Sequence, residues 1–352
     1  MAKLSRRQIL LAGFAIGAGI SIATSRFRSQ QTQDESEEGA DIAYGTELSA
    51  SQVSEIQKSV QLKQPTIPYD RQMSKLLVRC CRLATEQYLK GTTEANYDGS
   101  IASLASYFPQ LNEYEQVTSF LILRERFFFE PIIERIGLED LIPKTDLIYG
   151  GFILKSSAKN IIVIRGTQEL DEWVANLNVK QIYYQSDNPE AGKVHNGFHD
   201  LHFFAGGPLK DKRIRTVLEQ LDPNIPCYIT GHSLGGAMAI LMAIDLALNF
   251  EDLRPQLRIY CYGTPRVGDP TFARFYSELV PNTYRIVNQA DSTWLLPPIQ
   301  LKDSVYLHLG QTWSFIYQTK DLNLNHQLAS YQAAIDREVE KPELPSEPVS
   351  GF

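Results

Sequence analysis

Apolar residues between positions 64 and 335 follow two spacings, one typical of helices and the other of strands. Residues 73–84 carry apolar side chains at helical spacing, and residues 117–129 form a second apolar stretch that we expect to be largely helical. Residues 147–154 and 161–165 instead predict two strands joined by a hairpin turn. The second of these strands is a run of branched apolar residues, which is typical of a strand buried on both faces.

The alternation of strands and helices continues toward the carboxyl end. A β-prone apolar run ends at Gly231, and further strands are predicted at residues 257–262 and 283–288. The helices predicted in this half of the chain cover residues 169–177, 198–204, 210–221, 237–250 and 271–279. This order predicts an α/β fold with a mostly parallel central sheet flanked by helices. In such a sheet the functional sites lie at the carboxyl ends of the strands.

Both ends of the chain lack this pattern. Residues 1–29 place Lys3, Arg6 and Arg7 before an apolar run, which predicts a signal peptide of twin-arginine character or, alternatively, an uncleaved membrane anchor. We therefore expect a protein that is exported to the periplasm or the extracellular space, or one that is anchored in a membrane. Residues 30–63 are polar and predict a disordered linker, and residues 336–352 predict a disordered tail. A single catalytic domain is expected over residues 64–335.

Composition limits the partners that need to be considered. The 352 residues have a formal net charge of -7 and no basic run outside the amino-terminal segment, which disfavours nucleic acid as a partner. No P-loop, dinucleotide fingerprint or zinc-type histidine cluster is present, so neither a metal nor an organic cofactor is expected. The chain has four cysteines, at Cys80, Cys81, Cys227 and Cys261. We expect all four to be reduced structural thiols, and a disulfide at Cys80 or Cys81 is the alternative.

Residues 231–235, with the sequence Gly-His-Ser-Leu-Gly, lie between a predicted strand and a predicted helix. A serine at such a sharp turn has a strained backbone, and its hydroxyl projects above the carboxyl end of the sheet. Because the flanking glycines lack a Cβ, strand and helix can approach closely. Ser233 is therefore the candidate nucleophile, and a glycine-rich turn with an ordinary serine is the alternative.

A serine nucleophile needs a base to remove its proton and an acid to orient that base. Of the two histidines after Ser233, we favour His326 in a polar loop as the base, because His308 lies in an alternating segment typical of a strand interior. Asp291 is the favoured acid, because it follows the predicted strand 283–288 at its carboxyl end.

The remaining acidic residues are less suitable as the orienting acid. Asp245 is expected to face outward from the helix after the serine, and Asp269 to cap the next helix. An oxyanion also needs donors, and the backbone N–H of Leu234 at the helix amino end is one candidate. The second candidate is Thr167, which ends the early strand and offers a backbone N–H and a hydroxyl. A simple Gly-Thr turn is the alternative there.

Taken together, these motifs resemble the lipase class 3 family, α/β-hydrolases typified by fungal triacylglycerol lipases. The resemblance covers about residues 145–335. It runs in order through Ile-Val-Ile-Arg-Gly-Thr at 162–167, Trp173, Val-His-Asn-Gly-Phe at 194–198, Gly-His-Ser-Leu-Gly-Gly at 231–236, Tyr-Gly-Thr-Pro-Arg-Val-Gly-Asp at 262–269, Val-Asn-Gln-Ala-Asp at 287–291, Leu-Pro-Pro at 296–298, and His326 with Tyr331.

The resemblance implies a serine carboxylic-ester hydrolase of α/β-hydrolase fold that cleaves acyl esters of glycerolipids, at a membrane or another lipid interface. It implies the roles already assigned to Ser233, His326, Asp291, Thr167 and Leu234. It further implies that residues 168–177 form a lid that carries Trp173. Asn176 stands where the fungal enzymes have an aspartate that braces the oxyanion residue, so we expect activity with weak interfacial activation.

Three alternatives to this function remain open. In the first alternative, the enzyme is a phospholipase or galactolipase acting on membrane lipids, or a short-chain esterase. From a different class, the same fold serves as a non-catalytic scaffold that binds a lipid or a protein. In the third alternative, the amino-terminal helices form a separate domain that binds a partner. The sequence leaves acyl-chain length, head group and oligomeric state open.

Overall fold

A central β-sheet organises the structure, a computed structural model that describes residues 50–123, 147–166, 180–203, 212–319 and 322–337. In chain order, its strands and those of two small hairpins are β1 (Glu115–Leu123), β2 (Leu147–Lys155), β3 (Asn160–Ile164), β4 (Gln181–Tyr183), β5 (Lys193–His195), β6 (Cys227–His232), β7 (Leu257–Tyr262), β8 (Thr283–Asn288), β9 (Gln300–Leu301), β10 (Ser304–Val305) and β11 (Gln311–Phe315). The central sheet has seven strands in the order β1-β2-β3-β6-β7-β8-β11, and β4 with β5 and β9 with β10 form the hairpins.

Pairing in the central sheet changes from antiparallel to parallel at β3. The first three strands pair antiparallel, and β3, β6, β7, β8 and β11 pair in parallel. Parallel neighbours need a crossover connection, which places helices on the faces of the sheet. The carboxyl ends of β6, β7 and β8 consequently lie next to one another at one edge. The predicted mostly parallel sheet is thus confirmed.

Helices cover both faces of the sheet and bury two apolar cores. Their bounds are α1 (Ala50–Ser59), α2 (Arg71–Thr93), α3 (Asn196–Phe203), α4 (Lys212–Glu219), α5 (Leu234–Asn249), α6 (Pro270–Leu279), α7 (Leu322–His326) and α8 (Leu328–Asp336). Side chains of β6 alternate between the two cores: Ile229 packs with residues of α5, and Tyr228 packs with residues of α2. This alternation follows from the two-residue period of a strand.

The helix after β6, α5, consists of apolar residues and glycines apart from Asp245 and Asn249. Thirteen of its residues are buried, as expected of a helix enclosed between the sheet and other helices. On the opposite face, α2 begins where the Asp70 carboxylate accepts a hydrogen bond from the Met73 N–H at 3.0 Å. Leu77 and Leu83 of this helix are fully buried, and each such leucine contributes about 1.5–3 kcal/mol through burial.

One predicted helix is a strand in the structure. Residues 115–123 form β1, which pairs antiparallel with β2 at the edge of the sheet, and residues 124–129 lie outside the described residues. The register of β1 shifts twice along this pairing, between Gln116 and Thr118 and between Phe120 and Leu121. These shifts interrupt the strict two-residue alternation of a strand. The apolar run therefore gave no clear strand signal, and the helical expectation was wrong.

The predicted linker is also partly wrong. Residues 50–59 form α1, and after it Val60 and Leu62 pack against the core that contains α5. The backbone N–H of Lys63 donates to Ser277 Oγ at 3.1 Å. These contacts anchor the carboxyl-terminal part of the segment 30–63, which composition alone did not reveal. Residues 30–49 lie outside the described residues.

The described residues belong to one compact unit that spans Glu47–Phe352. Among their helices, none combines the length and the apolar character that crossing a membrane requires. All four cysteines are buried and free, in agreement with the expected reduced thiols. Burial raises the pKa of Cys81 and of Cys227 to about 12, which makes these thiols unreactive. Of the predicted tail, residues 338–352 lie outside the described residues.

Candidate active site

Ser233 occupies the sharp turn between β6 and α5. Its backbone has φ 60° and ψ -129°, a left-handed φ that only one other non-glycine residue of the described chain, Lys302, shares. The Ser233 N–H donates to the Tyr262 carbonyl on the neighbouring strand at 2.8 Å, which holds the turn in place. Strain of this kind persists only when the surrounding structure enforces it, and it is concentrated at functional sites. The predicted strand, turn and helix are confirmed.

Two glycines allow the turn to pack against the sheet. A Cβ on Gly231 would lie 2.2 Å from the Gly235 carbonyl oxygen, and a Cβ on Gly235 would lie 2.5 Å from the Ile164 carbonyl oxygen. Both contacts involve backbone atoms that cannot move aside. The amino end of α5 therefore lies directly against β3 and β6, with Ser233 above it.

His326 lies within hydrogen-bond distance of both predicted partners. It is the last residue of the short helix α7 rather than part of a loop. Its Nε2 lies 2.9 Å from Ser233 Oγ, and its Nδ1 lies 2.7 Å from Asp291 Oδ2. In the neutral tautomer that fits these contacts, Nδ1–H donates to the carboxylate and Nε2 accepts from the serine hydroxyl. The structure therefore brings together Ser233, His326 and Asp291.

Asp291 is buried and held by three donors. Besides His326, the Thr293 N–H donates to Oδ1 at 2.8 Å, and the Tyr331 hydroxyl donates to Oδ2 at 2.6 Å. Burial alone would raise the pKa of this carboxyl. The hydrogen bond and the charge of His326, together with the bonds from Tyr331 and Thr293, outweigh burial and lower the pKa. Asp291 is thus an ionised acceptor that orients the imidazole.

The residue before the serine supports the histidine as well. The ring of His232 lies 4.6 Å from the ring of His326, measured between centroids, and its Nε2 lies 2.7 Å from the His326 backbone oxygen. Burial and the nearby His326 lower the pKa of His232 to about 3, so it is neutral. Sequence reasoning missed this residue, although its position inside the Gly-x-Ser-x-Gly pattern was a usable signal.

One of the two predicted oxyanion donors lies in the described part of the chain. Leu234 is the first residue of α5, where backbone N–H groups have no partner within the helix. Thr167 lies outside the described residues, but its neighbour Gly166 does not. A Cβ on Gly166 would lie 3.4 Å from Ser233 Cβ, so the chain that leads to Thr167 passes directly beside the serine. The predicted lid residues Trp173 and Asn176 also lie outside the described residues.

The rejected histidine and acids occupy other environments. His308 lies between β10 and β11 rather than inside a strand, and its ring contacts Trp294. Asp269 caps α6 by accepting from the Phe272 N–H at 2.7 Å, as predicted. The expectation that Asp245 faces outward is wrong. It is buried, and it contacts the Tyr184 hydroxyl and His202 Nε2, the latter at 2.6 Å.

The described residues contain no group of three or more histidine, cysteine, aspartate or glutamate side chains that could hold a metal ion. The chemistry available at the carboxyl ends of β6 and β8 is instead that of a serine hydroxyl beside an oriented imidazole. A buried carboxylate and a helix amino end complete this group. Such an arrangement can transfer an acyl group to the serine.

Comparison with known proteins agrees with this geometry. Residues 161–301 match the family model described as lipase (class 3). The predicted resemblance to the lipase class 3 family is confirmed. The matched residues include Ser233 and Asp291, whereas His326 lies beyond residue 301 and is identified by its contacts.

Similar proteins include lipases and a phospholipase. A lipase from Rhizomucor miehei is 37% identical over 156 residues, which cover 43% of this chain and 40% of the relative. A chloroplastic phospholipase A1 from Arabidopsis thaliana is 31% identical over 195 residues, which cover 47% of this chain and 37% of the relative. The chain thus matches less than half of the length of these relatives.

The chain also shares its fold with solved structures. The structure of a triacylglyceride lipase from Rhizomucor miehei aligns with a TM-score of 0.50 and 24% sequence identity. The alignment covers 70% of this chain and 81% of that one. The predicted α/β-hydrolase fold is therefore confirmed.

Proposed function

We propose that this protein is a serine carboxylic-ester hydrolase of the lipase type, which cleaves acyl esters of glycerolipids. The observation that carries the proposal is the chain of two hydrogen bonds from Ser233 through His326 to the buried Asp291. A serine on an ordinary turn would not be strained, buried and bonded to an imidazole that a carboxylate orients. These features disfavour a non-catalytic scaffold.

In the proposed reaction, Ser233 Oγ attacks the acyl carbonyl carbon and His326 Nε2 takes the serine proton. The carbonyl π electrons move to the oxygen, which becomes the oxyanion of a tetrahedral intermediate. Collapse of this intermediate breaks the ester C–O bond, and His326 returns the proton to the departing alcohol. Water then attacks the acyl-enzyme with the same imidazole as base, which releases the fatty acid and restores Ser233. Asp291 stays ionised throughout and stabilises the imidazolium.

We assign the oxyanion to the backbone N–H of Leu234 and to Thr167. The first donor lies at the amino end of α5, where the helix dipole favours negative charge. The second is supported by the position of Gly166 beside Ser233. Loss of one oxyanion donor typically costs about 3–4 kcal/mol of transition-state stabilisation. We retain residues 168–177, with Trp173 and Asn176, as the proposed lid.

An acyl-lipid substrate is supported by apolar side chains next to the proposed catalytic residues. Leu295 follows the Asp291 turn and is 45% exposed, and Leu324 precedes His326 and is 41% exposed. Exposed leucines in the segments that carry Asp291 and His326 favour an acyl chain over a polar ester. The named activities of the relatives, lipase and phospholipase A1, agree with this substrate class. A phospholipase or galactolipase is the second candidate, because the Arabidopsis relative is a phospholipase A1.

We also propose that the protein is exported. The basic residues and apolar run of residues 1–29 support a signal peptide of twin-arginine character, with a membrane anchor as the alternative. Either placement would bring the enzyme to lipid substrates. Fractionation of cells that produce the full chain separates the two, because a cleaved signal predicts a shortened soluble product and an anchor predicts full-length protein in the membrane fraction.

The proposed activity is tested by the initial rates of wild type and Ser233→Ala on p-nitrophenyl esters of short and long acyl chains. We expect turnover by wild type, preference for long chains, and loss of turnover in the variant. Rates on triacylglycerol, phosphatidylcholine and galactolipid emulsions then distinguish lipase from phospholipase and galactolipase. Equal inactivity of both proteins on every ester, also with lipid interfaces present, would contradict the proposal and favour a lipid-binding scaffold.

A further inference from the structure

Three neighbouring side chains carry five buried nitrogen atoms that have no hydrogen-bond partner in the part of the chain that the structure describes. These atoms are Arg285 Nε and Nη1, His308 Nδ1 and Nε2, and Trp294 Nε1. The large majority of buried side-chain polar atoms in proteins have a hydrogen-bond partner, so five unpaired nitrogens on three neighbouring side chains call for an explanation. None of the three side chains takes part in the proposed ester hydrolysis.

Together with Arg266, these side chains form one group, which we call the basic cluster: Arg266, Arg285, Trp294 and His308. The rings of Trp294 and His308 lie 5.8 Å apart, measured between centroids. Burial is the main reason that the pKa of His308 lies well below its usual range. The charges of Arg285 and Arg266 lower it further, and the Trp294 backbone, which lies near the ring but outside hydrogen-bond geometry, raises it in part. The four side chains are therefore close enough to interact.

The basic cluster is positively charged at neutral pH. Burial lowers the pKa of Arg266 to about 10, and burial together with Arg266 lowers the pKa of Arg285 to about 9. Both values lie above 7, so both guanidiniums stay protonated. His308 is neutral and offers one N–H. Among the described residues, neither arginine forms an ion pair with a carboxylate, so two buried positive charges have no protein counter-charge.

The two arginines differ in how their donors are used. Arg266 Nη1 donates to the Leu295 carbonyl and, at 2.8 Å, to the Pro297 carbonyl, so it is occupied by the loop after Asp291. Arg285 Nη2 donates to Thr312 Oγ1 at 2.6 Å, which leaves its Nε and Nη1 free. Arg266 thus supplies charge, Arg285 supplies charge and unused N–H donors, and the neutral His308 and Trp294 supply N–H donors only.

We propose that the basic cluster binds a small monovalent inorganic anion of the chloride type. N–H donors around two uncompensated guanidiniums select a negative ligand. The five nitrogen atoms are buried, so a ligand has to lose its hydration shell, which disfavours strongly hydrated sulfate and phosphate. A monatomic halide needs only donors from the protein, and the cluster offers only N–H donors apart from one histidine nitrogen.

An anion at this position would stabilise the loop that holds Asp291. Trp294 belongs to the same loop as Thr293, whose N–H donates to Asp291 Oδ1 at 2.8 Å, and Arg266 binds the carbonyls that follow. The anion would therefore neutralise the charges beneath this loop. A ligand that binds only the folded state raises the free energy of unfolding by RT ln(1 + c/Kd), where c is the free ligand concentration, and with it the unfolding temperature.

The first test is thermal unfolding of the full chain in sodium bromide and in sodium gluconate at equal ionic strength. We expect the Tm to be about 2–4 °C higher in 100 mM bromide than in gluconate. Trp294→Phe removes one donor but keeps an aromatic ring, so it should reduce this difference by at least half. Trp313→Phe, the same exchange in β11, is the matched control and should keep the full difference.

The second test is bromide anomalous diffraction from wild-type crystals, which does not depend on the folding of a variant. We expect an anomalous peak within about 3.5 Å of Arg285 Nε or Nη1 and of a His308 ring nitrogen. Equal Tm values in bromide and gluconate, with anomalous peaks only at the protein surface, would overturn the proposal. The cluster's donors would then be satisfied by something other than an anion.

Discussion

His232 Nε2 donates a hydrogen bond to the backbone carbonyl of His326, with a nitrogen–oxygen distance of 2.7 Å. The residue that immediately precedes the proposed nucleophile therefore fixes the main chain of the proposed base. Because His232 is neutral, it places no second positive charge beside His326 when the imidazolium forms. The Gly-His-Ser-Leu-Gly turn thus positions both reacting side chains. Ser233 is part of the turn, and His326 is held by the hydrogen bond from His232.

His232→Phe should lower kcat for ester hydrolysis about threefold to tenfold and leave KM nearly unchanged. Phenylalanine retains the ring contact with His326 but removes the hydrogen bond, and one such bond contributes about 1 kcal/mol. Steady-state rates on p-nitrophenyl butyrate measure the effect. His232→Gln keeps a donor and should recover part of kcat. An unchanged kcat in His232→Phe would show that the bond does not position the base.

Acid should begin to destabilise this protein at pH values well above the pKa values of its carboxyl groups. Burial lowers the pKa of His195 to about 4, and burial with the nearby His326 lowers the pKa of His232 to about 3. In the unfolded chain both titrate near 6.5, so between the two values the unfolded state binds protons that the folded state does not. The stabilisation is fully present above about pH 6.5 and is lost as the pH falls toward 4.

Each of these histidines contributes up to about 1.4 kcal/mol of unfolding free energy per pH unit within that range. Urea unfolding at about pH 7 and pH 5.5 measures the slope for wild type. His232→Phe removes one of the histidines with a lowered pKa, so its free energy of unfolding should fall less steeply between the same pH values. Identical slopes for the two proteins would mean that His232 is not buried in its neutral form.

Two buried aspartates should respond differently to the same substitution. Asp291→Asn should reduce kcat roughly 10³–10⁴-fold, because an amide no longer selects the His326 tautomer that accepts the serine proton. Asp245→Asn, at the contact with Tyr184 and His202, should lower the unfolding temperature and leave kcat within about twofold of wild type. Equal losses of kcat in the two variants, with both still folded, would contradict the assignment of Asp291.

The packing of the turn can be tested at Gly236 and Thr264. A Cβ on Gly236 would lie 1.9 Å from Thr264 Oγ1, so Gly236→Ala should destabilise the protein by about 1–3 kcal/mol. Adding Thr264→Ala removes the obstructing hydroxyl and should restore most of the lost stability, as measured by urea unfolding. Gly235→Ala is the control, because its Cβ would meet backbone atoms of Ile164, Arg165 and Gly166, and no side-chain change relieves those contacts.

Local patterns predicted the centre of the sheet well. Strands β7 and β8 begin and end where the hydrophobic runs do, because a buried parallel strand is apolar on both faces and is bounded by loops. The strained serine and its histidine and aspartate partners followed from chain order and from the carboxyl ends of these strands. The strand β1 did not, because an edge strand with two register shifts lacks a clear period.

Features that depend on tertiary contacts were not predictable from the sequence. Asp245 is buried only because Tyr184 and His202, both distant in sequence, supply its hydrogen bonds. Composition marked residues 30–63 as a linker, yet Val60 and Leu62 contact a core that more distant residues build. The basic cluster likewise joins β8 to three loop residues, and no local spacing connects them.

Ester hydrolysis by this protein depends, in our proposal, on Ser233 as a nucleophile that His326 activates. The most direct test treats folded wild type with a fluorophosphonate and locates the adduct by peptide mass spectrometry, with loss of esterase activity followed in parallel. We predict one adduct per chain, on Ser233, that forms in proportion to the loss of activity and is abolished in Ser233→Ala. An active protein whose Ser233 stays unmodified while activity is lost, or one that the reagent labels at another serine, would contradict the claim.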